Sequence, residues 1–167
     1  MRRAALVLSL GMLLAGCGRA AHEPEADRNS AGAQLERAAI TAGVVADPAQ
    51  LDPVGAYGAE NDRACIVRAG KGYRIGAGVD YGDGHGCLAR GTAKGTGKLA
   101  VTLGGGCHFD ARFDGRRLIF PPVLPAECDR FCTGRASLTA LSVERLSGAE
   151  SEAGALRGSD GKPLCGE

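Results

Sequence analysis

Long runs of this chain alternate apolar residues with polar residues or glycine, and this period of two constrains the fold more than any other feature. The clearest runs are residues 73–81, 98–103 and 107–113. Successive side chains of a strand point to opposite faces of a sheet, so these runs predict strands with one buried and one wet face. Glycine-rich turns such as Gly82-Asp83-Gly84 separate the runs, which favours short connections between antiparallel neighbours. The sequence therefore predicts an antiparallel meander.

The predicted strands follow these runs and their neighbours. They cover residues 64–69, 73–81, 87–92, 98–103, 107–113 and 117–120, with one more strand in 136–143. Prolines cannot donate into a strand ladder, so residues 121–135, which begin with Pro121-Pro122, are predicted to form a crossing loop. Residues 150–156 are predicted to form a turn or two of helix. We expect a mainly β domain, a small antiparallel meander that closes into a barrel or a sandwich.

The first seventeen residues resemble the signal peptide of bacterial lipoproteins. Arg2 and Arg3 form a positive start, and the apolar run 4–15 is shorter than the roughly twenty residues of a membrane-spanning helix. The run ends in Leu14-Ala15-Gly16-Cys17, which matches the lipobox of that family at each position. The resemblance implies cleavage before Cys17 and lipidation of this cysteine with fatty acyl chains such as palmitate. Two or three such chains hold a protein stably at a membrane.

The residue after the lipidated cysteine bears on which membrane is used. In the lipoprotein family an aspartate at this position favours retention in the inner membrane in many species, whereas this chain has Gly18. The resemblance therefore implies a lipid-anchored protein on the periplasmic face of the outer membrane, with the periplasmic face of the inner membrane as the alternative.

The stretch that follows has the composition of a linker. Residues 18–61 are rich in Ala, Gly, Pro and Glu, contain no cysteine and have Tyr57 as their only aromatic residue. Apolar residues in 33–45 recur at helical spacing and predict a short amphipathic helix. The predicted organisation is a signal peptide over residues 1–16, a flexible lipid-anchored tether over 17–61 and a disulfide-bonded β domain over 62–167.

The cysteine count agrees with export. The chain has seven cysteines, and the lipidation of Cys17 leaves an even set: Cys65, Cys87, Cys107, Cys128, Cys132 and Cys165. In an oxidising compartment this set predicts three disulfides, whereas a zinc site is disfavoured because no Cys-x-x-Cys pair occurs. The meander brings Cys87 and Cys107 to the same end of the sheet, which predicts that they pair. Cys65 would then pair with Cys165, and Cys128 with Cys132.

Charge excludes one class of partner. The precursor has 20 Lys and Arg against 19 Asp and Glu, and removal of Arg2 and Arg3 leaves 18 against 19, a net charge of −1. The charges are scattered along the chain, so no nucleic-acid surface is expected. The expected partners are the membrane, through the lipid on Cys17, and an envelope protein.

Few side chains are placed for catalysis. His85 lies in a glycine-rich loop that the meander places at the same sheet end as His108, so Asp83, His85 and His108 are a candidate cluster for metal binding or hydrolysis. The simpler interpretation is that they are turn residues and a wet strand position. No serine lies in a Gly-x-Ser-x-Gly elbow. The sequence therefore predicts no catalytic residue, metal or cofactor, and favours a non-enzymatic binding or structural role.

A short stretch offers an alternative function. Ala69-Gly70-Lys71-Gly72-Tyr73 is similar to the Ser-Gly-x-x-Tyr motif of periplasmic lysozyme inhibitors of the lipoprotein kind, which are small disulfide-bearing β-barrels. The glycine and tyrosine match, whereas Ala69 replaces the serine. The resemblance implies an inhibitor of a cell-wall hydrolase whose motif enters the active cleft.

The lipobox predicts how the protein is processed. Mass spectrometry of the mature protein should show an acylated N-terminal Cys17, because cleavage and acylation both require this residue. Cys17→Ala should leave an uncleaved or soluble product, whereas Gly18→Ala, outside the motif, should still be acylated. A mature chain that begins at any other residue would contradict the lipoprotein interpretation.

Overall fold

The protein forms a closed antiparallel β-barrel. The computed structural model describes residues 30–45 and 47–166, so the predicted signal peptide and Cys17 lie outside the described residues. Each strand pairs with its neighbours in sequence, and the last pairs with the first, so the sheet has no free edge. The strands are β1 (Gly55–Ala59), β2 (Asp62–Ala69), β3 (Gly72–Asp80), β4 (Gly86–Gly95), β5 (Lys98–Gly104), β6 (Cys107–Phe113), β7 (Arg117–Ile119) and β8 (Ser142–Ser147).

The barrel has two different ends. The chain enters the barrel at the start of β1, and this is called the entry end. Because neighbouring strands run in opposite directions, the turns after β2, β4 and β6 also lie there. The opposite end, called the lid end, carries the turns after β1, β3 and β5. It also carries the segment 120–141, which connects β7 to β8.

Inward-facing apolar side chains fill the barrel. On β5, for example, Leu99, Val101 and Leu103 are buried while the residues between them are exposed. Tyr57 and Phe113 meet inside the barrel, edge to face, with ring centroids 6.0 Å apart. Among the described residues no charged residue is buried. The period of two in the sequence therefore corresponds to side chains that point alternately into the packed interior and toward solvent.

Arg145 on β8 closes the entry end. Its guanidinium carbon lies 4.8 Å from the ring centroid of Phe113 and 5.8 Å from that of Tyr57. Its Nη2 donates to the backbone carbonyls of Asp52 and Val54, the latter at 3.1 Å. Burial raises the pKa of the Tyr57 hydroxyl, although the nearby Arg145 acts in the opposite direction. These contacts fix the entering segment against the barrel core.

Six of the predicted strands are confirmed, with small shifts at their ends, and two of the predicted boundaries are wrong. The tether does not reach residue 61, because β1 lies within it and pairs with both β2 and β8. The strand predicted at 136–143 begins instead at Ser142 and runs to Ser147. Residues 136–141 are not a strand because the backbone turns at Ala140, whose φ is +56°, and this segment crosses the barrel mouth with Leu138 and Leu141 packed on the core. Within the predicted tether, the helix α1 spans Ala31–Thr41 and buries none of its residues.

The C-terminal segment packs on the outside of the barrel. The helix α2 (Glu150–Ala155) confirms the helix predicted at 150–156 and places Ala153 against β1 and β2. Cys65 on β2 and Cys165 form a disulfide, as predicted. Between the C-terminal segment and the outer face of the barrel lies an apolar cluster that is separate from the barrel core. It consists of Ala56, Cys65, Val67, Ala153, Leu164 and Cys165.

The other two predicted disulfides are wrong. Cys87 pairs with Cys132 and Cys107 pairs with Cys128, so each bond joins a barrel strand to the segment 120–141. Cys87 and Cys107 do lie at the same end of the sheet, as the meander predicted. They do not pair with each other because the crossing segment lies over that end and presents one cysteine to each strand.

The closure of the entry end predicts a large stability effect. Arg145→Ala should lower the free energy of unfolding by about 2 to 4 kcal/mol, since it removes three side-chain hydrogen bonds and the packing against two rings. Arg116→Ala is the matched control, because that side chain is 81% exposed and its ion pair is long, at 3.9 Å. The control should change stability by less than about 0.5 kcal/mol in urea unfolding. Equal effects of the two variants would contradict the role given to Arg145.

Candidate binding surface at the lid end

The segment 120–141, called the lid, crosses the mouth of the barrel. It contains a 3-10 helix at Ala126–Phe131 and apolar side chains that pack onto the barrel core. The disulfides Cys107–Cys128 and Cys87–Cys132 tie the helix to β6 and β4, with Cα atoms 4.8 and 4.0 Å apart. The lid is therefore held covalently at two points, and its backbone cannot lift away from the mouth as a unit.

Backbone hydrogen bonds hold both arms of the lid. In the arms next to β7 and β8, the Phe120 amide donates to the Leu141 carbonyl at 2.8 Å, and the Ala140 amide donates to the Pro121 carbonyl at 3.0 Å. On the far side, the Thr133 hydroxyl donates to the Gly84 carbonyl at 2.7 Å. The two arms of the lid are thus joined to each other at its base, and Thr133 attaches its far side to the turn after β3.

The lid presents one strongly exposed apolar side chain. Residues 121–125, called the proline knuckle, read Pro-Pro-Val-Leu-Pro, and the backbone bends at Pro122 and Val123. Val123 at the bend is 80% exposed. Each proline fixes its own φ, so the segment loses little conformational freedom when it binds. Tyr81, in the turn after β3, is 60% exposed at the same end of the barrel.

Two open pockets lie beside the lid, on the flank where the C-terminal segment meets β3 and β4. Their volumes are about 280 and 470 Å³. They share a wall that includes Val79, Asp80 and Ser159, and the larger one also contains His85 and Thr133. Both are surface depressions, whereas the barrel interior is packed with apolar side chains. The described chain therefore offers surfaces and shallow grooves for binding.

The structure places the predicted histidines in separate surroundings. His85 lies against Gly134, where an added Cβ would collide with the imidazole ring, and its Nδ1 is 3.4 Å from the Arg135 backbone nitrogen, which donates to it. His108 is exposed on β6 opposite Thr102. Within residues 30–45 and 47–166, no three His, Cys, Asp or Glu side chains are arranged to hold a metal ion. The six predicted disulfide cysteines are all paired, so they offer no thiolate either.

The motif similar to that of lysozyme inhibitors forms the hairpin between β2 and β3, at the entry end. Gly70 has φ +57°, which suits the turn, and Lys71 is exposed. Tyr73 is only partly exposed and packs against the barrel core. The tyrosine of this motif is therefore part of the barrel wall, on the opposite end from the lid.

The carboxyl groups with lowered pKa values belong to ion pairs and turns. Hydrogen bonds from Arg68 lower the pKa of Glu150 at the entry end, and a side-chain hydrogen bond from Arg90 lowers that of Asp160. At the lid end, burial raises the pKa of Asp62, beside the turn after β1. Such shifts in ion pairs are structural consequences of the fold, and they do not converge on one pocket.

The proline knuckle is the feature that sequence reasoning missed. Its signal was visible as two apolar residues, Val123 and Leu124, enclosed by prolines just before a cysteine. Turns and loops usually carry polar residues, so an apolar pair between prolines points to a preformed surface segment.

Comparison with known proteins leaves the site to be interpreted from its geometry. The chain matches no protein-family model, no curated protein and no solved structure. In the part of the chain that the structure describes, no helix has both the length and the apolarity needed to cross a bilayer.

Proposed function

We propose that this chain is a lipid-anchored envelope lipoprotein that binds a partner protein without catalysing a reaction. Its place is the periplasmic face of the outer membrane, with the inner membrane as the alternative. The observation that carries the proposal is that the two ends of the barrel differ. The chain that leads back to Cys17 joins the entry end, and the covalently tied lid lies at the opposite end.

The lid end has the properties of a protein-binding surface. It combines exposed apolar side chains, Val123 and Tyr81, with a backbone held by two disulfides. A preformed surface binds more tightly than a mobile one because less conformational entropy is lost. Aromatic and apolar groups that project from such a surface are the usual centres of interfaces. An envelope protein is the partner that this surface fits.

A cell-wall hydrolase is one partner that the proline knuckle would suit. An exposed apolar side chain on a rigid, bent segment can enter a cleft at low entropic cost. In this form of the inhibitor proposal, Val123 takes the inserting role, since Tyr73 is packed in the barrel wall. The observation that favours this candidate is the 80% exposure of Val123 between fixed prolines.

A charge placed on the knuckle tests the proposed surface. Val123→Asp should reduce recovery of the partner from an envelope extract by at least about tenfold, because an unpaired charge would be buried in the interface. Leu146→Asp is the matched control, since Leu146 is 65% exposed on β8 near the entry end. Both variants should melt like the parent protein.

Two results would contradict the proposed function. The first is equal recovery of the same partner by the parent and by Val123→Asp. The second is a measurable catalytic turnover by the purified mature protein that is lost on substitution of His85 or His108. In that case the chemistry, and not the lid surface, would define the function.

A further inference from the structure

Basic side chains gather on one flank of the entry end. The six residues, called the basic rim, all lie at the ends of strands or in turns of that end: Lys71, Lys94, Lys98, Arg112, Arg116 and Arg117. All are exposed, and the side chains of Lys98, Arg116 and Arg117 are 75%, 81% and 52% exposed. Their strand neighbours, such as Ala93 and Leu99, point inward and are buried. The rim is therefore a continuous outer surface across four strands.

The strand register brings like charges together. Lys98 on β5 lies directly opposite Arg112 on β6. Lys94 on β4 pairs with Ala100, which is two residues from Lys98 on the same face of β5. Like charges directly opposite each other on a sheet destabilise it. The barrel thus has a repulsive pair of cations on an exposed face. A negatively charged ligand bound there would reduce the repulsion between Lys98 and Arg112.

The carboxylates near the rim do not balance it. Asp110 forms an ion pair with Lys98 at 2.9 Å, and Glu144 forms one with Arg117 at 3.6 Å. The Asp114 carboxylate accepts hydrogen bonds from the backbone amides of Arg116 and Arg117, so it stabilises the turn between β6 and β7. None of the described carboxylates forms a close ion pair with Lys71, Lys94 or Arg112, although Asp114 attracts Arg112 at longer range. Positive charge is therefore in excess on this flank.

The charge is polarised along the barrel. Within residues 86–119, every lysine and arginine except Arg90 lies in the half near the entry end, whereas Arg130 and Arg135 lie in the lid. Arg90 is held by Asp160 at 2.8 Å. A mature chain that is close to neutral as a whole thus carries a basic surface at one end.

We infer that the basic rim docks the entry end onto an anionic phospholipid surface, that of the membrane holding the acyl chains of Cys17. This inference rests on the proposed lipid anchor. The chain leading back to Cys17 leaves the barrel beside the rim: the Pro48 carbonyl accepts hydrogen bonds from the Thr96 hydroxyl at 2.7 Å and the Gly97 amide at 3.1 Å. Thr96 and Gly97 form the turn between Lys94 and Lys98.

Docking through the basic rim would determine how the lid is oriented relative to the membrane. Attraction between Lys or Arg and an anionic bilayer acts within about one Debye length of the surface, roughly 8 to 10 Å at physiological salt. The rim must therefore face the bilayer closely. The opposite end of the barrel, with the lid and Val123, then points away from the membrane toward a partner.

Vesicle binding by the unacylated protein tests the inference. The mature chain carrying Cys17→Ser should sediment with vesicles of equal parts phosphatidylcholine and phosphatidylglycerol, and not with phosphatidylcholine alone. Added Lys94→Glu with Arg112→Glu should weaken this binding by about tenfold or more, since both cations are exposed and without an ion pair. Arg130→Glu with Arg135→Glu at the lid end is the control of equal charge change, and it should bind like the parent.

The outcomes separate this inference from the proposed function. Absence of binding to anionic vesicles, equal binding by the rim variant, or binding to soluble heparin instead of vesicles would overturn the inference. Acylation of Cys17 would still stand in each of these cases. An unacylated Cys17 in the native protein would instead remove the proposed anchor, whatever the vesicles show. Weaker binding in about 0.5 M salt is expected if the rim acts by charge.

Discussion

The two disulfides of the lid are the constraint on which the rest of the structure depends. The barrel interior is built largely from alanines and branched aliphatic residues, and a core this small contributes limited stability. The lid adds Leu138 and Leu141 to that core, but a long loop pays an entropic cost to stay in place. Cys87–Cys132 and Cys107–Cys128 span 45 and 21 residues. Cross-links over such distances are worth about 2 to 4 kcal/mol each, because they restrict the unfolded chain.

The two ends of the barrel are closed in different ways, and this difference shapes the functional proposals. Covalent bonds close the lid end, whereas Arg145, two aromatic rings and backbone carbonyls close the entry end. The first closure leaves an apolar segment exposed and fixed. The second joins the barrel to the segment that leads toward Cys17, next to the basic rim. The barrel therefore has one end held rigid by disulfides and one basic end, from which the proposed tether leaves.

The sequence predicts most of the strands because period-two alternation directly reflects one-sided burial. It misses β1 because Gly55-Ala56-Tyr57-Gly58-Ala59 has a single large side chain, and its pairing with β8 is a contact between distant parts of the chain. It also extends the last strand too far toward the N-terminus. Ala136, Leu138 and Ala140 have the spacing of a strand, but the backbone turns at Ala140, whose φ is +56°, and Leu138 anchors the lid.

The candidate binding surface was harder to predict than the fold. Cys128 and Cys132 are close in sequence, which suggests a local pair, yet the 3-10 helix turns them toward different strands. The exposure of Val123 depends on that arrangement. The basic rim likewise becomes visible only when the register places Lys98 opposite Arg112. The sequence shows an apolar pair enclosed by prolines, but only the fold determines that Val123 is exposed while Leu124 packs on the core.

Disulfide mapping shows whether the lid is cross-linked to β4 and β6. Trypsin cleaves after Arg130, so it separates Cys128 from Cys132, and it also separates Cys87 from Cys107 by cleaving after Arg90. Mass spectrometry of the unreduced digest should find Cys87 linked to Cys132 and Cys107 linked to Cys128. Peptides that link Cys128 to Cys132, or Cys87 to Cys107, would release the lid from the barrel mouth and contradict the account.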